Sequence, residues 1–213
     1  MIFQSMMRNA VLLGVFAVLG TGMVALTHET TKSRIAENQR QALLANLHEL
    51  VPPDSYNNDI IGDHITVTDQ TQLGTADPIP VYLARKDSTP VAAVLTPVAP
   101  DGYNGDIKLM VAIRYDGTIL GVRVLAHNET PGLGDSIDIS KTPWVTSFNG
   151  RSLHNPKPDK WHVKRDGGVF DQFTGATITP RAVVKAVHKC LEYYMANRSA
   201  LFSEGKPEEH PKA

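Results

Sequence analysis

Residues 10–27 carry no charge and consist mainly of Val, Leu, Ala, Phe, Met and Gly. That length sits at the short end of a bilayer-spanning helix, which needs roughly 20 apolar residues. The pattern predicts an N-terminal transmembrane anchor over residues 1–28. A cleaved signal peptide uses the same ingredients, with Arg8 ahead of the apolar run. The run exceeds a usual signal core, however, and no Ala-x-Ala site follows it, so an uncleaved anchor is the preferred reading. Residues 29–50 read as a juxtamembrane helix, with Ile35, Leu43, Leu44, Leu47 and Leu50 set among charges and glutamines. Val51-Pro52-Pro53 ends it, because the residue before a proline avoids helical backbone.

Beyond the prolines the apolar runs shorten to strand length. Residues 79–84 and 91–98 flank the polar turn Arg85-Lys86-Asp87-Ser88-Thr89-Pro90. Residues 107–114 and 118–125 alternate around Tyr115-Asp116-Gly117, where Asp-Gly is a favoured hairpin turn. These runs predict an antiparallel sheet of four or more strands, and with the helices around it an α+β domain over residues 51–200. A short helix is expected at 142–148, with Pro143 in its first turn. A long one is expected from Thr179, with Thr179 as N-cap, Pro180 at the first helical position and Val184, Val187, Leu191 and Tyr194 on the apolar face. It should end near Asn197, and residues 201–213 read as a disordered polar tail.

Composition narrows the chemistry. The 213 residues carry a net charge of −1 with acidic and basic residues interspersed, which leaves no basic stripe for nucleic acid. The single cysteine, Cys190, cannot close an internal disulfide, hold an iron–sulfur cluster or complete a haem-attachment motif. The eight histidines show no metal-ligand spacing. If the chain handles electrons, an organic cofactor must carry them.

Two loops stand apart from the predicted elements. His127-Asn128-Glu129-Thr130-Pro131-Gly132-Leu133-Gly134-Asp135 follows a strand, and its glycines would let backbone approach a flat ligand. The segment 166–180 leads small residues and three hydroxyls, on Thr174, Thr177 and Thr179, into a helix N-terminus. Backbone N–H groups there favour a phosphate, although a capped polar turn explains the same residues. Lys164 and Arg165 are candidates to balance phosphate charge, with a solvated basic pair as the plainer reading. His127 and Trp144 read as packed residues rather than redox groups.

Asp171-x-x-Thr174-Gly175-Ala176-Thr177 resembles the flavinylation motif of the FMN-binding domain family. The resemblance implies FMN joined through its phosphate to Thr177. It implies recognition and shaping roles for Asp171 and Thr174, and steric access supplied by Gly175 and Ala176. Asp-Gln-Phe-Thr departs slightly from the commoner Asp-Gly-x-Ser spelling. The segment 129–134 resembles a second family stretch that borders the flavin ring, which makes Glu129, Thr130, Gly132 and Leu133 candidate contacts. Behind a single anchor, and over nearly the whole chain, these features resemble the G subunits of Rnf-type ion-translocating electron-transport complexes. The motif equally resembles that of the C subunits of sodium-pumping NADH:quinone reductases, usually longer chains, and a component of that kind is the alternative reading.

The resemblance implies a redox subunit that relays electrons within a larger complex and is no stand-alone catalyst. Its implied partners are other membrane subunits, a flavin transferase and the lipid bilayer. It places the chain in a bacterial inner membrane with a single pass and the C-terminal domain in the periplasm. Charge counting opposes that orientation, since Lys32, Arg34 and Arg40 follow the span while Arg8 and the terminal amine precede it. A cofactor-free anchored scaffold and a soluble secreted flavoprotein lacking the first 27 residues are the rival readings.

Overall fold

The structure is a computed structural model that describes residues 2–204. The apolar run and the polar stretch behind it form one continuous helix, α1 (Ile2–Leu50), rather than two elements. Where the polarity changes, hydroxyls fold back onto the helix: Thr27 donates to Met23 O at 2.8 Å and Thr31 to Thr27 O at 2.7 Å. Threonine there meets its own hydrogen-bond need without breaking the ladder. The large apolar side chains of the first half, from Val11 to Leu26, stand exposed. Among the described residues this is the one helix long and apolar enough to cross a membrane.

The chain separates after Ala45 into two compact units, and the second holds the sheet. Six strands build it: β1 (His64–Asp69), β2 (Thr75–Lys86), β3 (Thr89–Leu95), β4 (Val98–Ala99), β5 (Ile107–Arg114) and β6 (Ile119–Ala126). Every pairing is antiparallel. The two-residue β4 continues the line of β3 along β5, since Leu95 faces Val111 and Val98 faces Lys108 in unbroken register. The α+β class expected from the pattern is therefore the observed one. A short α2 (Gln70–Leu73) links β1 to β2, and α3 (Ile178–Glu204) follows the long loop region.

β5 corrects the expected alternation. Leu109, Met110, Val111, Ala112 and Ile113 are all buried, because both faces of this central strand are covered. One face packs with Val183, Val184, Val187, Cys190, Leu191 and Tyr194 of α3. On the other face, Gly121 of β6 leaves no room for a side chain beside Leu50, the last residue of α1. Arg123 of β6 also pairs with Glu49 at 3.0 Å. Burial pushes the Cys190 thiol far up, so this cysteine is a core residue without thiolate chemistry.

Other boundaries move for identifiable reasons. β1 has only Ile65 and Val67 as apolar signal, on an edge strand half open to solvent, and the sequence pattern did not reveal it. The turn between β2 and β3 shrinks to Asp87 and Ser88, both with positive φ as in a two-residue hairpin of the primed type. Arg85, expected in that turn, lies inside β2 and is buried, with Nε 2.8 Å from Asp63 Oδ2. The helix expected at 142–148 is a 3-10 turn, Pro143–Phe148, with Thr142 accepting from Trp144 N.

α3 does not stop near Asn197. Leu201 and Phe202 are buried, so the end of the helix belongs to the core and not to a polar tail. Phe202 meets Tyr115 edge-on at 5.4 Å and lies under the Arg85 guanidinium, which also donates to Phe202 O at 3.0 Å. The remainder of the expected tail lies outside the described residues. Phe202→Ala is expected to cost about 3 kcal/mol of stability by emptying this site. Chemical denaturation of the full-length protein in detergent measures it, and an unchanged midpoint would return residues 201–204 to the tail.

Candidate functional site

Two loops distant in sequence meet over the N-terminus of α3 and line one cleft of about 300 Å³. The first leaves β6 at Ala126. His127 Nδ1 accepts from Glu129 N at 3.1 Å, and Thr130 O then gathers the N–H groups of Leu133 and Gly134 at 3.1 and 3.0 Å. Gly132 adopts φ +75°, the left-handed turn that glycine permits, and stands outside the cleft lining. Gly134 serves differently: a Cβ there would sit 2.8 Å from Glu129 Oε2 and 2.9 Å from Thr179 Oγ1. Only a glycine lets this backbone lie against that pair.

Glu129 is 4% exposed, yet its carboxylate is fully engaged. Oε1 accepts from Asn104 N at 3.0 Å, and Oε2 accepts from the buried Thr179 hydroxyl in a very short contact. Asn104 Nδ2 also donates to Thr130 Oγ1 at 3.1 Å. Glu129 lines the cleft mainly as a clasp, fastening the loop after β6 to the turn before β5 and to α3.

The second loop is held from behind. Trp144 Nε1 donates to Asp171 O at 2.7 Å, and Phe173 packs edge-on against Trp144 at 5.2 Å. Phe173 and Ala176 then form an antiparallel bridge, closed by Ala176 N donating to Phe173 O at 3.2 Å. Gly175 takes φ +81° at the third position of this turn, where type II geometry demands it. Its glycine is thus a conformational requirement as well as a source of access.

α3 begins at Ile178, one residue before the expected start. Thr177 O accepts from Arg181 N at 3.4 Å, so Thr177 and not Thr179 holds the cap position. Thr179 fails as a cap because its hydroxyl is drawn to Glu129, inside the first turn. Thr177 is half-buried on the cleft wall, and its hydroxyl makes no hydrogen bond among the described residues. The backbone N–H groups of Ile178 and Thr179 open the helix beside it, where no intrahelical carbonyl reaches them. The rim is apolar: Tyr103, Leu133 and Ile178 are 65%, 44% and 47% exposed.

Of the sequence-predicted residues, Glu129, Thr130, Leu133, Gly175, Ala176 and Thr177 share the cleft, while Asp171, Thr174 and Gly132 lie outside it. Asp171 pairs with Lys164 at 2.5 Å on the exposed side of the loop. Lys164 and Arg165 are also absent from the cleft lining. Tyr103 and Ile178 were not anticipated. Tyr103 sits in the turn-rich Asp101-Gly102-Tyr103-Asn104-Gly105-Asp106, where an aromatic without strand neighbours was the available signal.

An unengaged hydroxyl, free N–H groups at a helix start and an apolar rim fit a ligand with one phosphate and one flat apolar part. A family model described as FMN-binding domain matches residues 102–192, which contain every residue lining the cleft. A second, described as RnfG N-terminal region, matches residues 1–50. The chain is 52% identical to the G subunit of the ion-translocating oxidoreductase complex of Pseudomonas aeruginosa, over 97% of this chain and 95% of the relative. It is 49% identical to the protein of the same name from Shewanella loihica, over 94% of each chain. Its identity to the Vibrio cholerae counterpart is 47%, over 94% of this chain and 95% of the relative. The chain belongs to the family of ion-translocating oxidoreductase complex G subunits, and residues 102–192 are its FMN-binding domain.

Proposed function

We propose that this chain is an anchored electron-relay subunit that holds FMN covalently, through a phosphoester to Thr177 Oγ1. The observation that carries the proposal is the Thr177 hydroxyl, unengaged at the point where the cleft meets the first turn of α3. A phosphate there gains the free N–H groups and the positive end of the helix dipole. Thr130, Leu133 and Tyr103 stand where the flat part of the ligand would lie. FMN supplies the redox chemistry, and the protein supplies position and electrostatics.

The residues outside the cleft take the maturation role. Asp171 and Thr174 are exposed on the outer side of the turn, accessible to a flavin transferase rather than to the ring. The clasp at Glu129 holds the two walls at a fixed spacing, so the tether and the ring pocket remain in register. The multi-subunit setting in the names of the relatives supports other subunits of such a complex as electron partners.

Thr177→Ala is expected to abolish ultraviolet flavin fluorescence in the denatured band on a gel, while Thr174→Ala lowers it without abolishing it. Fluorescence that persists in Thr177→Ala and disappears in Thr179→Ala would move the linkage to the other hydroxyl and overturn the proposal.

The single apolar helix supports one pass through a bacterial inner membrane. Orientation rests on the family analogy, which favours a periplasmic sheet domain against the small excess of positive charge after the span. Protease added to spheroplasts is expected to digest the domain from residue 46 onward. Protection until the membrane is broken would show that charge, and not analogy, sets the orientation.

A further inference from the structure

His127 opens the loop that forms one wall of the flavin cleft, and it is half-buried. Its Nδ1 lies 3.1 Å from Glu129 N. A backbone amide can only donate, so Nδ1 must offer a lone pair, and the proton of the neutral ring sits on Nε2. A side-chain acceptor that takes the N–H two residues on is the geometry of an Asx turn. Here an imidazole stands where asparagine or aspartate is usual.

That bond holds the residue that clasps the cleft. Glu129 is buried, and its carboxylate accepts from Asn104 N at 3.0 Å and from the Thr179 hydroxyl. Its backbone is thus fixed by His127 while its side chain fixes two other segments. Thr130, the next residue, gathers the N–H groups of Leu133 and Gly134 on its carbonyl. Without the His127 acceptor, the N–H of a buried residue would lack a partner, and the turn would have to rearrange to satisfy it.

An imidazole acceptor can be switched off. Imidazoles change charge between about pH 5 and pH 8. A charged ring carries hydrogen on both nitrogens, so its Nδ1 can no longer accept. The charged groups of the following turn are Asp135, Asp138 and Lys141, with Lys141 3.9 Å from the buried Asp135. Asp138 lies within electrostatic reach of the ring. The N–H of Ser140, 2.8 Å away, holds the Asp138 carboxyl below the usual carboxylate range, with His127 and Lys141 adding to the effect. Asp138 is therefore ionised across the whole interval and attracts a charged ring away from Glu129 N.

We propose that neutral His127 is a positioning residue for the flavin: by accepting the Glu129 N–H it keeps the clasp closed, and protonation of the ring opens the clasp. The inference rests on this cleft being the flavin site.

The test uses full-length, flavin-loaded protein in detergent, titrated from about pH 8 to about pH 5. The Glu129 amide is followed by nuclear magnetic resonance, and access to the flavin by acrylamide quenching of its fluorescence. The expected result is an upfield shift of the Glu129 amide proton as its acceptor is lost, with a rise in quenching over the same interval. His127→Asn supplies an acceptor of similar reach that does not titrate. It is expected to hold both readouts at their alkaline values throughout. His127→Leu, with no acceptor, is expected to fix both at their acid values, and if it does not fold the asparagine variant alone decides. A Glu129 amide that stays in place in the unsubstituted protein, or that still moves in His127→Asn, overturns the proposal. So does a Glu129 shift without a change in quenching, because the turn would then titrate without reaching the flavin. Failure of the flavin site itself reads separately, as unsubstituted protein with no flavin in the denatured band.

Discussion

A carboxylate removed from water costs on the order of several kcal/mol unless donors meet its oxygens. Glu129 is buried and answers that cost with Asn104 N on one oxygen and the Thr179 hydroxyl on the other. Each donor comes from a different part of the chain, the turn before β5 and the first turn of α3. Satisfying one buried charge therefore fixes three segments against each other. The cleft walls, the glycine at position 134 and the cap at Thr177 all follow from that constraint. An apolar replacement of Thr179 would leave the buried carboxylate partly unmet, whereas Asn104 donates from its backbone and keeps that bond under any substitution but proline.

The same clasp explains how hydroxyls so close in sequence acquire different fates. Thr179 is committed to Glu129 and has no exposure. Thr174 rides the exposed tip of a turn that Gly175 makes possible. Thr177 alone lies on the cleft wall with its hydroxyl unengaged. Under the proposed linkage, the selection rests on position: of the three hydroxyls, that of Thr177 is both uncommitted and on the cleft wall.

Much of the fold was legible because its signals are local. The apolar run of α1, the Asp-Gly hairpin between β5 and β6 and the apolar stripe of α3 each depend on neighbours in sequence. The features that escaped depend on distant partners. β1 is an edge strand with two inward apolar residues, too few to stand out. Arg85 looked like a turn residue because its acceptors, Asp63 and Phe202 O, are far away in the chain. Thr179 looked like a cap because nothing local announces Glu129 as a competitor. Phe202 looked like the start of a tail because its partners, Tyr115 and Arg85, lie on the sheet. Both site loops were visible in sequence, but their meeting in one cleft, and the contribution of Tyr103, required the fold.

The central claim is that one uncommitted hydroxyl anchors the cofactor. Intact mass of the protein purified from a flavinylating host tests it most directly, followed by mapping of the peptide that spans residues 166–181. The account predicts an increase equal to one FMN less one water, carried on Thr177. An unmodified mass, or the same increase carried on Thr174 or Thr179, would contradict it.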